Sequence, residues 1–161
     1  MLDSAISART EITDKTLVRS FAYVGGRWVA AGSGATVRVT NPANGLELGL
    51  VASLSAAEAT AAVDVAQAAF GGWAQRLPQD RAALLRRWFE LILAHREDLA
   101  RIMVLEQGKP LSEARGEIEY AAAFIEFYAE EAKRSNIEGV TSHLPDAEVE
   151  LVDRVAGHRW L

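Results

Sequence analysis

The stretch LEQGKPLSEARGEIEYAAAFIEFYAEEAKR, residues 105–134, decides the fold class. Gly108 predicts the left-handed end of one helix, and Pro110 supplies the fixed φ of the first turn of the next. That next helix is predicted to run for about six turns. Its predicted apolar side, with residues spaced by three and four, consists of Ala114, Ile118, Ala121, Ala122, Ile125 and Tyr128.

The acidic residues of the same helix raise the question of acid–base chemistry. Glu117, Glu119 and Glu126 lie on the polar side of the predicted helix. On a helix this acidic, we interpret them as a solvated face with i,i+4 partners. The helix alone therefore predicts packing and no catalysis.

Composition favours one soluble domain with a real core, since the chain has 161 residues, of which 50% are hydrophobic and 24% charged. A net charge of −5 and a pI near 5.2 give no basic footprint for nucleic acid or an anionic membrane. No apolar run approaches the roughly 20 residues that cross a bilayer, and the first 20 residues lack the hydrophobic region of a secretory signal. The expected location is the cytoplasm.

The sequence contains no cysteine. This excludes a disulfide framework, a thiolate metal site and a thiol nucleophile from the chain.

Short antiparallel strands are predicted ahead of the helices. Residues 21–29 form a hairpin that turns at Gly25 and Gly26. Residues 36–40 alternate with period two and are expected to be half-buried, and residues 46–53 return as a further strand. The glycines lack the spacing of phosphate-binding loops, so they are interpreted as structural turns.

Three further helices are predicted between the strands and the long helix. Ser55 and Glu58 form a capping box for the first, which is expected to end at Gly71 and Gly72. Its alanine-rich stripe, expected to lie close to a neighbour, is Ala59, Ala62, Val63, Ala66 and Phe70. The second opens at Pro78, and its apolar positions are Leu84, Leu85, Trp88, Leu91 and Ile92. The third, ending at Gly108, contains Leu99, Ile102, Met103 and Leu105.

Aromatic and histidine residues offer weak alternatives for a binding site. Trp28, Trp73 and Trp88 lie on different predicted elements without a basic cluster, so they are interpreted as core and edge fillers. His95 has no second histidine at i+4 and is interpreted as a partly exposed capping residue.

The segments FAYVGGRW, TNPANG and EQGKPLSEARGEIEYAAAFIEFYAEEAKR together resemble the aldehyde dehydrogenase superfamily, and within it the succinate-semialdehyde dehydrogenases. The resemblance begins near Phe21 and persists to about Glu150, so it covers only the N-terminal part of a family enzyme. It implies an α/β family fold of which this fragment is mainly helical, with N-terminal antiparallel strands and a C-terminal edge strand.

The resemblance also implies a domain division. Residues 1–20 are an N-terminal extension, 21–134 the N-terminal part of the cofactor-binding domain, and 135–152 the start of the oligomerisation arm. Residues 153–161 lack the family's sequence motifs and form a non-family tail.

The family oxidises an aldehyde with NAD or NADP through a cysteine thiohemiacetal, and succinate-semialdehyde dehydrogenases act in 4-aminobutyrate degradation. The family's cysteine, general-base glutamate, oxyanion asparagine and ribose-binding lysine lie downstream of the resembling segments. No catalytic, cofactor-binding or metal-binding residue is therefore assigned to this chain, and no productive cofactor binding is expected. The inner face near Phe124 and Phe127 is expected either to border the substrate entrance of a complete enzyme or to be ordinary core.

Two functional hypotheses follow. The first is an inactive N-terminal piece of an NAD(P)⁺-dependent succinate-semialdehyde dehydrogenase, shortened by a frameshift, an early stop or a partial gene model. The second is a non-catalytic binding or complementation module that pairs with another chain through residues 148–152. The family forms homo-oligomers, and exposed apolar surface on this chain is expected to cause self-association. Neither nucleic acid nor a membrane is expected as a partner.

Overall fold

The computed structural model describes residues 12–134. After a short 3₁₀ helix at Lys15–Leu17, four strands precede four α-helices. The strands are β1 (Ala22–Val24), β2 (Arg27–Val29), β3 (Thr36–Thr40) and β4 (Glu47–Ala52). The helices are α1 (Ala56–Ala74), α2 (Pro78–Ala94), α3 (Arg96–Gln107) and α4 (Leu111–Glu131). The predicted order of antiparallel strands followed by helices is confirmed for this part of the chain. The predicted strand at 148–152 lies outside the described residues.

The strands form two separate antiparallel hairpins. In β1–β2, Tyr23 pairs with Trp28 across the ladder, and the turn uses Gly25 and Gly26, both with positive φ, as the sequence predicts. In β3–β4, Val37 pairs with Val51 in register. The expected half-burial of β3 is wrong, because only Val39 is partly buried. The other four residues of β3 are exposed.

Helix α1 begins as predicted but ends later. The Ser55 side chain accepts a hydrogen bond from the Glu58 backbone N–H, and the Glu58 side chain accepts one from the Ser55 backbone N–H. The predicted end at Gly71 and Gly72 is wrong, since both glycines remain helical and Gln75 N–H still donates to Gly71 O. The helix ends shortly before Pro78, because a proline drives the residue before it, here Leu77, out of the helical region.

The alanine-rich stripe of α1 does not pack as predicted. Most of it is solvent-exposed, and no residue of α1 is buried. Phe70 is 59% exposed and Ala62 is only partly buried, so most of the apolar side of α1 is uncovered within residues 12–134.

The core lies where α4 packs on both α2 and α3. Its buried α4 residues are Ala114, Ala122 and Ala129, with Ile118 and Ile125 partly buried beside them. These small side chains let the helices approach closely. Two members of the predicted face are wrong, because Ala121 is exposed and Tyr128 is 59% exposed. The packed stripe is rotated away from them toward Ala129.

On α2, the predicted face splits in two. Leu85 and Ile92 are partly buried, whereas Leu84, Trp88 and Leu91 are exposed. The tryptophans, interpreted as core and edge fillers, are not core within the described residues, since Trp28, Trp73 and Trp88 are 45%, 37% and 55% exposed. Sequence periodicity identified apolar positions correctly but not which of them this chain covers.

The turn between α3 and α4 follows the prediction. Gly108 is left-handed with a φ of 72°, and its N–H donates to Val104 O. Pro110 then leads into α4. A Cβ at Gly108 would lie 2.9 Å from Pro42 Cγ, so this turn also touches the loop that joins β3 to β4.

Candidate functional site

A cleft of about 530 Å³ lies among the end of α1, α2 and α4. We call it the aromatic cleft. Its lining residues are Trp73, Arg81, Leu85, Trp88, Phe124, Ile125, Tyr128, Glu131, Ala132 and Arg134. Its volume is typical of a small-molecule pocket, but it is open and its aromatic side chains are half-exposed. It therefore presents four half-exposed aromatic side chains, Trp73, Trp88, Phe124 and Tyr128, on one surface.

The two phenylalanines singled out from the sequence occupy different places. Phe124 belongs to the cleft wall and is 49% exposed, with Tyr120 in an edge-to-face contact at 4.8 Å. Phe127 is 56% exposed and packs edge-to-face with Tyr128 at 5.4 Å. Neither is core within residues 12–134, so their expected alternative as ordinary core is wrong for this part of the chain.

Charge in the cleft is contributed by Arg81, Glu131 and Arg134. Arg134 Nε bonds Glu131 Oε1 at 2.9 Å, which neutralises both at the end of α4. The Nε of Arg81 is buried and has no hydrogen-bond partner among the described residues. The described lining of the cleft has two arginines and aromatic rings but no serine, cysteine or lysine beside a base.

The glutamates of α4 are held by cations from other elements. Arg86 of α2 donates from Nη1 to Glu126 at 2.7 Å and from Nη2 to Glu130. Arg96 of α3 pairs with Glu119 at 2.7 Å, and Lys109 pairs with Glu117. The predicted i,i+4 partners are wrong, because these partners come from other helices or the preceding turn.

These ion pairs explain the direction of several pKa shifts. Hydrogen bonds from Lys133 and Arg86 hold the pKa of Glu130 below its ordinary value, and those to Glu126 and Glu130 raise the pKa of Arg86. Arg115 contacts Glu97 through Nε and Nη2, and it lowers the pKa of that carboxyl. A lowered pKa keeps Glu130 and Glu97 charged, which is the opposite of what a general acid requires.

His95 lies between α2 and α3, where its backbone N–H caps α2 by donating to Leu91 O. Its side chain is partly exposed, with Nδ1 3.8 Å from Asp14 Oδ2. The capping role is confirmed. No group of three or more His, Cys, Asp or Glu side chains placed to hold a metal ion occurs in residues 12–134.

Two acidic residues have roles that sequence reasoning missed. Glu58 accepts a hydrogen bond from Gly32 N–H at 2.7 Å besides its bonds to Ser55. Asp98 accepts bonds from Thr13 N–H and Asp14 N–H, both at 2.8 Å. Gly32, Thr13 and Asp14 are each at least 26 residues from the acid that they contact, so no local pattern carried a signal for these three contacts.

None of the helices within residues 12–134 is long and apolar enough to span a membrane.

Relatives with curated functions cover nearly all of this chain but only part of their own length. The chain is 44% identical over 147 residues to a glutarate-semialdehyde dehydrogenase of Pseudomonas putida, covering 91% of this chain and 31% of that protein. The NADP⁺-dependent succinate-semialdehyde dehydrogenase of Escherichia coli is also 44% identical over 147 residues, covering 91% and 30%. The chain thus spans about a third of the length of these relatives.

Solved structures agree with this fold. A succinate-semialdehyde dehydrogenase from Burkholderia pseudomallei is 52% identical, with a TM-score of 0.75 over 84% of this chain and 28% of that one. A betaine aldehyde dehydrogenase from Staphylococcus aureus, solved with NAD⁺, is 26% identical, with a TM-score of 0.75 over 88% of this chain and 28% of its own. The model of the aldehyde dehydrogenase family matches residues 28–156. With these matches beside the strand and helix order described above, the chain belongs to the aldehyde dehydrogenase family.

Proposed function

We propose that this chain forms the N-terminal part of an NAD(P)⁺-dependent dehydrogenase that oxidises succinate semialdehyde to succinate. The observation that carries the proposal is its 44% identity, over 91% of the chain, to the succinate-semialdehyde dehydrogenase of Escherichia coli. The 52% identity to the Burkholderia pseudomallei enzyme supports the same substrate. Glutarate semialdehyde is the second candidate, because the Pseudomonas putida relative is equally similar.

Within that function, the chain contributes surface and not reacting groups. Aldehyde oxidation by a covalent route requires a nucleophile that attacks the carbonyl carbon, and a hydride acceptor. A cysteine thiolate is the family's nucleophile, and this sequence contains no cysteine. The 161-residue chain by itself is therefore inactive, and productive binding of NAD or NADP needs residues from outside it.

The aromatic cleft is the surface that the rest of the enzyme contacts. Its open wall includes Trp73, Trp88 and Phe124, each more than a third exposed. Exposed apolar surface of this kind marks a contact with another protein surface or with a ligand. We place the covering surface on the catalytic part of the enzyme, with Phe124 near the path of the substrate. That part belongs either to the same polypeptide or to a second one.

In the cell, the proposed setting is the cytoplasm, 4-aminobutyrate degradation and a homo-oligomeric enzyme. The division of the chain into segments that end at residues 20, 134 and 152 belongs to the same proposal. The alternative of a binding module that pairs through residues 148–152 concerns a segment outside the described residues.

A chimera tests the proposal. Residues 21–134 replace the matching segment of the Escherichia coli succinate-semialdehyde dehydrogenase, and the aldehyde-dependent formation of NADPH is followed by absorbance. The chimera is expected to oxidise succinate semialdehyde, with a higher kcat/KM for it than for glutarate semialdehyde. The reversed preference would reassign the substrate. A folded, oligomeric chimera without any aldehyde oxidation would contradict the proposed function.

One variant of the chimera tests the cleft, and a second serves as its control. Phe124→Glu in the chimera is expected to reduce kcat/KM at least about tenfold, because the rest of the enzyme covers this side chain and an acid is costly at such an apolar contact. Val37→Glu, an equally drastic change at an exposed position of β3, is expected to change kcat/KM less than twofold.

A further inference from the structure

The segment of residues 12–20, which we call the strap, crosses from the helices to the β3–β4 hairpin. Ile12 is only 2% exposed, although it precedes the first regular element. Together with Val18 it borders a small space of about 40 Å³ whose other walls include Leu48 of β4 and Ile102 of α3. The strap therefore packs between the two parts of the chain.

One end of the strap is held by Asp98 in the first turn of α3. The two carboxylate oxygens each accept one backbone hydrogen bond, from Thr13 N–H and Asp14 N–H, both at 2.8 Å. Asp98 is 8% exposed, the most buried charged residue among those described. Bonds to a charged acceptor are stronger than neutral ones, and the helix N-terminus favours the negative charge.

The other end is joined to the sheet. Ala52 N–H at the end of β4 donates to Ser20 O at 2.8 Å. Direct contacts between β3–β4 and helices α2–α4 are otherwise sparse within residues 12–134. The approach of Pro42 to Gly108 also connects the two parts.

We infer that Asp98 is a positioning residue that latches the strap to α3 and thereby couples the β3–β4 hairpin to the helical layer. The inference is independent of the proposed dehydrogenase activity. When the latch is removed, Thr13 and Asp14 lose their acceptors, Ile12 loses its anchor and the hairpin loses a connection to the helices. The result is a local opening of the strap and hairpin while the α2–α4 packing stays closed.

The titratable groups facing the latch are Asp14 and His95. Asp14 Oδ1 accepts bonds from Thr16 N–H and Oγ1–H, and its Oδ2 lies 3.8 Å from His95 Nδ1. The histidine thus faces the strap from the junction of α2 and α3. Its charge, when protonated, adds to the attraction between the strap and the helices but supplies no acceptor for the strap amides.

Hydrogen exchange on the full chain tests the latch. In Asp98→Ala, exchange at Thr13, Asp14 and Ala52 is expected to accelerate at least about tenfold. Amides of α2 and α4 are expected to stay within about twofold. Asp98→Asn retains one carbonyl acceptor and is expected to fall between the wild type and the alanine variant. Asp80→Ala removes an exposed first-turn acid from α2 and serves as the control, with no change at the strap.

Three outcomes would overturn the inference. Unchanged exchange at Thr13 and Asp14 in Asp98→Ala would mean that the carboxylate does not hold the strap. Faster exchange at those two amides alone, with Ala52 unchanged, would mean that the strap does not couple the hairpin. A uniform acceleration across α2 and α4 in Asp98→Asn as well would mean that Asp98 supports the helical layer as a whole.

Discussion

Gly108 combines two constraints that a single methyl group would violate. Its φ of 72° lies in the left-handed region, and a Cβ there would meet Pro42 Cγ at 2.9 Å. Gly108→Ala is expected to destabilise the chain by about 1–3 kcal/mol, from backbone strain plus the contact. Urea unfolding measures the change. Gly116→Ala, in the open middle of α4, is expected to be neutral or stabilising by up to about 1 kcal/mol. Equal effects of the two substitutions would contradict this explanation.

Glu58 makes the stability of the chain depend on pH. Hydrogen bonds from Gly32 N–H and from Ser55 hold its carboxyl pKa below the ordinary value of 4.5. A depressed folded pKa contributes stability that is fully present above about pH 4.5 and is lost as pH falls through the lower folded value. The difference in urea midpoint between the wild type and Glu58→Gln is therefore expected to be largest near neutral pH and to shrink in acid. A difference that stays constant from pH 7 to pH 3 would count against this assignment.

At the scale of elements, three consecutive alanines of α4 distinguish the packed face from its neighbours. Ala122 is 1% exposed, whereas Ala121 and Ala123 are exposed. Ala122→Leu is expected to destabilise the chain by about 1–3 kcal/mol, because the packed interface has no room for the larger side chain. Ala121→Leu and Ala123→Leu are expected to change the unfolding free energy by less than about 0.5 kcal/mol. Equal destabilisation by Ala121→Leu and Ala122→Leu would restore the face predicted from sequence periodicity, which includes both residues.

The same helices show what local sequence reasoning reached. Ser55, Glu58, Gly108 and Pro110 act through neighbouring backbone groups, so their caps and turns could be predicted. The interhelical partners of Arg86 and the strap contacts of Asp98 depend on tertiary distances, which spacing along one helix does not contain.

For the whole molecule, burial was the least predictable property. Periodicity finds apolar residues, but whether Trp88 or Phe70 is covered depends on a layer that the described part of this chain does not contain. The candidate site was anticipated only in part. Phe124 was expected either to border a substrate entrance or to be ordinary core, whereas the cleft around it depends on the positions of α1 and α2.

The exposed aromatic cleft predicts how the isolated chain behaves in solution. At micromolar concentration we expect species larger than the 17.5 kDa monomer, because the exposed aromatic side chains of the cleft become buried against a second copy of the chain. Trp88→Glu combined with Phe124→Glu is expected to shift the chain toward monomer. Val37→Glu removes an exposed apolar side chain far from the cleft and serves as the control. Size-exclusion chromatography with light scattering gives the masses, and a sharp wild-type monomer would refute the expectation.

The most direct measurement is the turnover of the purified 161-residue chain itself. Succinate semialdehyde is supplied with NAD⁺ or NADP⁺, and the reduced cofactor is followed at its absorbance maximum. The Escherichia coli relative, assayed beside it, confirms that substrate and cofactor are competent. Because the chain contains no cysteine, we predict no rate above the buffer blank. Saturable reduction of either cofactor, by an activity that copurifies with the chain, would contradict the claim that the chain supplies surface and not reacting groups.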